Sequence, residues 1–175
     1  VTDTSGSMWD VREEVANGID SFIEHLPRGS DFQVAVMLGH GNTSGHAGRL
    51  WQTDEDDPPV LSSKEMSRYD LRRALNYKLT HTESDMWSDG VEEGLFSLNR
   101  TFDKSRLMMA LRDNFFRPEA ALAVIFLSDE NDICAKFPDG VPKKKDRDGL
   151  ELWAHKHDCY REAPAFVYKG VTIWP

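Results

Sequence analysis

Near the start of the chain, Asp3-Thr4-Ser5-Gly6-Ser7 spaces one carboxylate and two hydroxyls at single-residue intervals. A hard cation such as Mg²⁺ takes oxygen ligands in near-octahedral geometry, and that spacing suits it. Two hydroxyls one residue apart on a tight turn can face a single point. The neighbouring carboxylate supplies charge or holds a coordinated water, and Gly6 lets the loop close. Hydroxyls are weak donors, so an ion held this way keeps much of its positive charge and has room for an outside ligand. The same residue types also form ordinary helix N-caps. Two contexts favour the metal. The segment follows an apolar strand end, Val1-Thr2, and precedes an amphipathic helix, and a second acidic group, Asp129, closes the apolar run Ala121–Leu127.

These groups need elements to carry them. Val11, Val15, Ile19, Phe22, Ile23 and Leu26 recur at helical spacing and predict a helix over 9–26, stopped by Pro27 and Gly29. Residues 32–38 and 121–127 are nearly continuous in apolar side chains, as in strands buried on both faces. Leu71, Leu75 and Leu79 predict a helix over 65–79. Val91, Leu95 and Leu98 predict another over 89–99, and Leu107, Met108 and Leu111 a third over 103–115. A short helix is expected at 149–160. Strands alternating with helices point to an α/β domain with a mainly parallel sheet covered on both faces. In such sheets ligands bind at the carboxyl ends of the strands, where Asp3 and Asp129 fall. The chain reads as one domain over 1–175, cut at its N-terminal strand and at its C-terminal end.

Asp3-Thr4-Ser5-Gly6-Ser7-Met8 resembles the metal-ion-dependent adhesion site of von Willebrand factor A domains, and the stretch from Asn114 to Asp132 is similar to a bacterial, exported subgroup of them. The likeness runs from Val1 to about Cys134. It implies a three-layer, Rossmann-like α/β fold, with a mainly parallel central sheet flanked by helices on both faces. It implies Mg²⁺, with Mn²⁺ or Ca²⁺ as alternatives, held by Asp3, Ser5, Ser7 and Asp129 and by a hydroxyl ahead of a middle helix. Ser88 is the best match for that hydroxyl, with Ser84 and Thr82 as substitutes, because no Thr stands at the aligned position of the loop. The implied function is adhesion-type binding of a protein partner through its Asp or Glu carboxylate, in the periplasm or at the cell surface. An A domain working inside a larger pilus-type or intracellular assembly would use the same metal logic.

The remaining candidates read more plainly. A metal-dependent hydrolase would need a base or nucleophile beside the ion, and none is evident, so the chain is not read as an enzyme. Glu130 fits a supporting position around the ion, and Asp132 a solvated turn. His155, His157, Asp158 and Cys159 are spaced poorly for zinc on a helix. His40 and His46 read as loop residues, and Asp54–Asp57 as a solvated acidic loop without the glycine and terminal glutamate of a calcium-binding EF-hand. Cys134 and Cys159 permit a disulfide, the favoured reading over two buried thiols. A net charge of -9 and the single basic run Lys143–Lys145 exclude nucleic acid as a partner class. No apolar run approaches the roughly 20 residues of a membrane helix.

Overall fold

A computed structural model of the protein describes residues 1–27, 29–41, 44–82, 93–129, 166–168 and 171–173. The loop after Asp3 winds through a 3₁₀ turn, Gly6–Met8, directly into helix α1, Trp9–His25. Strand β1, Gln33–Val34, pairs antiparallel with β2, Leu61–Ser62. Helices α2, Arg68–Thr80, α3, Gly94–Thr101, and α4, Lys104–Arg112, follow. Strands β3, Phe166–Tyr168, and β4, Val171–Ile173, pair antiparallel with each other.

Helix α1 forms where its periodicity predicts, but it is rolled. Met8, Arg12, Ala16 and Ile23 are buried, whereas Val11 and Phe22 are each 39% exposed. One residue is about 100° around a helix, so the inward face lies one position on from the apolar stripe. Two polar contacts fix the roll. Arg12 turns inward to the loop before the helix, and Asn76 Nδ2 of α2 donates to the Ala16 carbonyl at 3.0 Å. Helix α2 starts on a reciprocal cap: Ser67 Oγ accepts from Asp70 N at 3.1 Å and donates to Asp70 Oδ2 at 2.6 Å. Its Leu71, Leu75 and Leu79 recur every fourth residue and meet Ala16 and Ile23 in a core completed by Val36, Leu38, Trp51 and Leu61.

The far end of α1 is closed by a side chain from α2. Arg68 donates to the carbonyls of Ile23 at 2.6 Å, Leu26 at 3.1 Å and Pro27 at 3.4 Å. Helix ends leave carbonyls without intrahelical partners, and a cation there also faces the negative end of the helix dipole. Arg68→Ala is expected to cost about 2 kcal/mol in urea denaturation, in line with hydrogen bonds from a charged donor. Arg68→Lys, a point charge without the planar fork, should recover about half. Equal stability of wild type and Arg68→Ala would remove the capping role.

The acidic loop expected to be solvated is tied down. Asp57 Oδ2 accepts from Thr53 N at 2.8 Å, Thr53 Oγ1 at 2.9 Å and Lys78 Nζ at 2.5 Å. Lys78 is 0% exposed and also donates to the Trp51 carbonyl at 2.9 Å. Burial pushes its ammonium pKa down, and Asp57 opposes that shift.

The sheet departs from expectation. A three-layer, Rossmann-like domain with a mainly parallel central sheet is overturned: among the described residues, the strands form two antiparallel pairs of two and three residues. Parallel pairing is limited to single bridges from Thr2 to Leu38 and to Leu127, and Met37 bridges Leu50 antiparallel. The physical reason lies in the two segments that were to form the centre. Val1–Asp3 pairs with its neighbours through single bridges at Thr2. The apolar run 121–127 forms a single bridge, at Leu127, and Leu122 and Ile125 are 52% and 55% exposed. An apolar run becomes a doubly buried strand only where layers cover both of its faces.

Of the helices expected over 89–99 and 103–115, the first is seen from Gly94 onward as α3, its residues 89–92 lying outside the described residues, and the second is α4. Helix α3 is pinned to residue 38 and to the 44–48 turn, since Ser97 Oγ donates to Leu38 O at 2.7 Å and accepts from Gly48 N at 3.1 Å. Gly48 has φ +73°, and a Cβ there would lie 2.7 Å from the Arg100 carbonyl carbon, so no side chain fits. Among the described residues, no helix is long and apolar enough to cross a membrane. The expected helix at 149–160 and the pair Cys134 and Cys159 lie outside the described residues.

Candidate metal centre

The centre is built on Val1–Asp3, which is held on both sides. The Val1 amine donates to Ile125 O at 2.8 Å, Leu127 N to Val1 O at 2.9 Å, and Asp3 N to Leu127 O at 2.9 Å. On the other edge Thr2 N donates to Met37 O at 2.8 Å, and Gly39 N to Thr2 O at 2.7 Å. This short frame sets Asp3 beside Ser128 and Asp129, more than a hundred residues along the chain.

From Asp3 the loop folds over its own carboxylate. Ser5 N donates to Asp3 Oδ1 at 2.7 Å, and Met8 N donates to Ser5 O at 3.2 Å as the 3₁₀ turn begins. Ser5 Oγ and Ser7 Oγ are 3.0 Å apart, and Ser7 Oγ donates to Asp129 Oδ1 at 3.4 Å. Ser128 Oγ donates to Asp3 Oδ2 at 3.0 Å. Four predicted residues, Asp3, Ser5, Ser7 and Asp129, therefore converge. Asp3 is 4% exposed and forms the inner wall, whereas Ser7 and Asp129 face solvent. Ser88 and its substitute Ser84 lie outside the described residues, as do Glu130, Asp132, His155, His157 and Asp158. Thr82 makes no hydrogen bond to the four converging residues.

Three contributors were not foreseen. Ser128 joins through its bond to Asp3. Arg12, 2% exposed, donates to the carbonyls of Asp3 at 3.0 Å and Ser5 at 3.3 Å. Burial lowers its pKa and the Asp3 carboxylate opposes the shift, so a guanidinium underlies the loop and offsets the charge of Asp3. Its place on the rolled inner face of α1, in step with Met8 and Ala16, was the available signal. His40, expected to be an idle loop residue, is buried against Thr4 inside the loop itself.

The donor set suits a hard cation. It consists of oxygens alone: the Ser5 and Ser7 hydroxyls 3.0 Å apart, the Asp129 carboxylate bonded to Ser7, and the Asp3 carboxylate at the base of the same loop, which matches the ligand preference of Mg²⁺ or Mn²⁺. Among the described residues, no group of three or more His, Cys, Asp or Glu side chains gathers, so a zinc-type cluster is not formed there. A separate cavity of about 300 Å³ borders Asp31, Phe32, Lys64 and Arg68. It adjoins the opposite end of α1, roughly 25 Å away at 1.5 Å per residue. Its charges are already engaged, Asp31 by Lys64 at 2.8 Å and Arg117 at 2.6 Å, and Arg68 by carbonyls. No family model, curated protein or solved structure matches this chain.

Proposed function

We propose that the D-x-S-x-S loop is a metal-ion-dependent adhesion site of the von Willebrand factor A kind, and that the chain is a binding module rather than an enzyme. Asp3, Ser5, Ser7 and Asp129 would hold Mg²⁺, with Mn²⁺ or Ca²⁺ able to replace it. The observation that carries this reading is the meeting of Ser7 with Asp129 at 3.4 Å across 122 residues of chain. A turn that served only to cap α1 would need no acidic partner from so far away.

Neutral hydroxyls leave the ion electron-poor, and the exposed side at Ser7 and Asp129 leaves it accessible. An Asp or Glu carboxylate from a protein partner is the ligand such an ion takes most readily. The exported location implied by the sequence resemblance belongs to the same proposal. So does use inside a larger assembly, which would employ the site in the same way.

Calorimetric titration with MgCl₂ tests the centre directly. One site is expected, with heat lost after EDTA treatment and restored by dialysis against Mg²⁺. A short peptide bearing a single Glu should then compete for the open position only in the presence of the ion, and its Gln counterpart should not. Protein that takes up neither Mg²⁺ nor Mn²⁺ would leave the loop as a self-bonded turn and end the adhesion reading.

A further inference from the structure

We propose that His40 is a positioning residue for the metal loop, acting through Thr4, and this rests on the metal-site reading above. Thr4 is the residue between Asp3 and Ser5. Its backbone torsions set where the Asp3 carboxylate points relative to Ser5 Oγ. The Thr4 hydroxyl does not face the converging oxygens but meets His40 Nε2 at 2.8 Å, with both residues buried.

The other side of the imidazole is equally engaged. His40 Nδ1 lies 2.8 Å from Ser44 Oγ, which in turn accepts from His46 N at 3.1 Å. A neutral imidazole offers one donor and one acceptor, and a hydroxyl can serve as either. Both ring nitrogens are therefore satisfied in either tautomer, and the ring is clamped between two hydroxyls.

The backbone that carries the ring is fixed as well. Gly39 N donates to Thr2 O at 2.7 Å, and Glu93 N donates to Gly39 O at 3.0 Å. A Cβ on Gly39 would lie 3.3 Å from Thr2 O, so the two segments run close together. His40 follows directly from that pinned residue. The loop is thus tethered at its middle by His40, while Arg12 holds the carbonyls at Asp3 and Ser5. Partners that orient ligands without touching the ion commonly change metal affinity 10- to 100-fold when removed.

A double-mutant cycle in Mg²⁺ affinity tests this, using Thr4→Val and His40→Leu in the whole chain. Each single variant is expected to raise the Mg²⁺ dissociation constant about 10-fold. The double variant should be no weaker than the weaker single, because both remove the same tether. His40→Gln, which keeps a donor and an acceptor, should recover part of the affinity. A role in stability alone would lower the unfolding midpoint and leave the dissociation constant of the folded protein unchanged. Unchanged affinity in Thr4→Val and His40→Leu, or single effects that simply multiply in the double variant, overturns the proposal while the metal site stands. If His40→Leu does not fold, the near-isosteric Thr4→Val decides the matter alone. Wild-type protein that binds no Mg²⁺ overturns both readings.

Discussion

Asp129→Ala is expected to abolish measurable Mg²⁺ binding and to leave the unfolding free energy within about 0.5 kcal/mol of wild type. Asp129 is exposed and meets the loop through a 3.4 Å hydrogen bond from Ser7. Asp3→Ala should lose the ion too, but for a mixture of reasons. The Asp3 carboxylate accepts from Ser5 N and Ser128 Oγ and offsets the buried charge of Arg12. Its removal is expected to cost about 3 kcal/mol of stability, because a buried cation loses its counter-charge. The two carboxylates thus separate binding from folding. Calorimetric titration with Mg²⁺, paired with urea denaturation of the metal-free proteins, reads both quantities. Asp129→Ala that binds Mg²⁺ as tightly as wild type would take Asp129 out of the ligand set.

The largest effect on stability alone is expected away from that centre. Asp57→Ala should cost about 3–5 kcal/mol, because it strands the fully buried ammonium of Lys78 with the Trp51 carbonyl as its remaining partner. Lys78→Met should cost less, since Asp57 keeps the backbone and hydroxyl donors of Thr53. Combining Asp57→Ala with Lys78→Met removes both charges and should regain most of the loss, as is common when a buried pair is replaced by apolar groups. Denaturation midpoints of the three variants give the answer. A cost below about 1 kcal/mol for Asp57→Ala would mean that the ammonium finds water, and that the pair is not a structural tie.

The helices were readable because their apolar spacing is strong, and the candidate loop stood out because one carboxylate and two hydroxyls at fixed intervals are rare outside caps and metal sites. The inward roll of α1 was not readable. Val11 and Phe22 extend the apolar stripe, yet the helix turns to serve Arg12, and nothing in a single sequence says that two loop carbonyls need a buried donor. Lys78 was hidden for the same reason: beside Leu75 and Leu79 it reads as the polar edge of an amphipathic helix. The strand expectation failed differently. Hydrophobicity along 121–127 reports the preference of those side chains, not whether other elements cover them, and Leu122, Val124 and Ile125 stand exposed. The end of that run nevertheless lies beside the loop, where Ser7 donates to Asp129 at 3.4 Å.

The double-sided grip on Thr2 also sets when the centre can form. Its bridges reach Leu38 on one side and Leu127 on the other. Closing the second one confines most of the chain, and such long-range closures cost entropy before they return any contact energy. Helices α1 and α2 can form from nearer neighbours first. The carboxylates of Asp3 and Asp129 are therefore expected to come together late on the folding path, after the Thr2–Leu127 bridge has closed. An ion held there as proposed would stabilise the native state without helping the chain over its barrier. The expected signature of the proposed metal site is kinetic: added Mg²⁺ should slow unfolding and leave the refolding rate nearly unchanged.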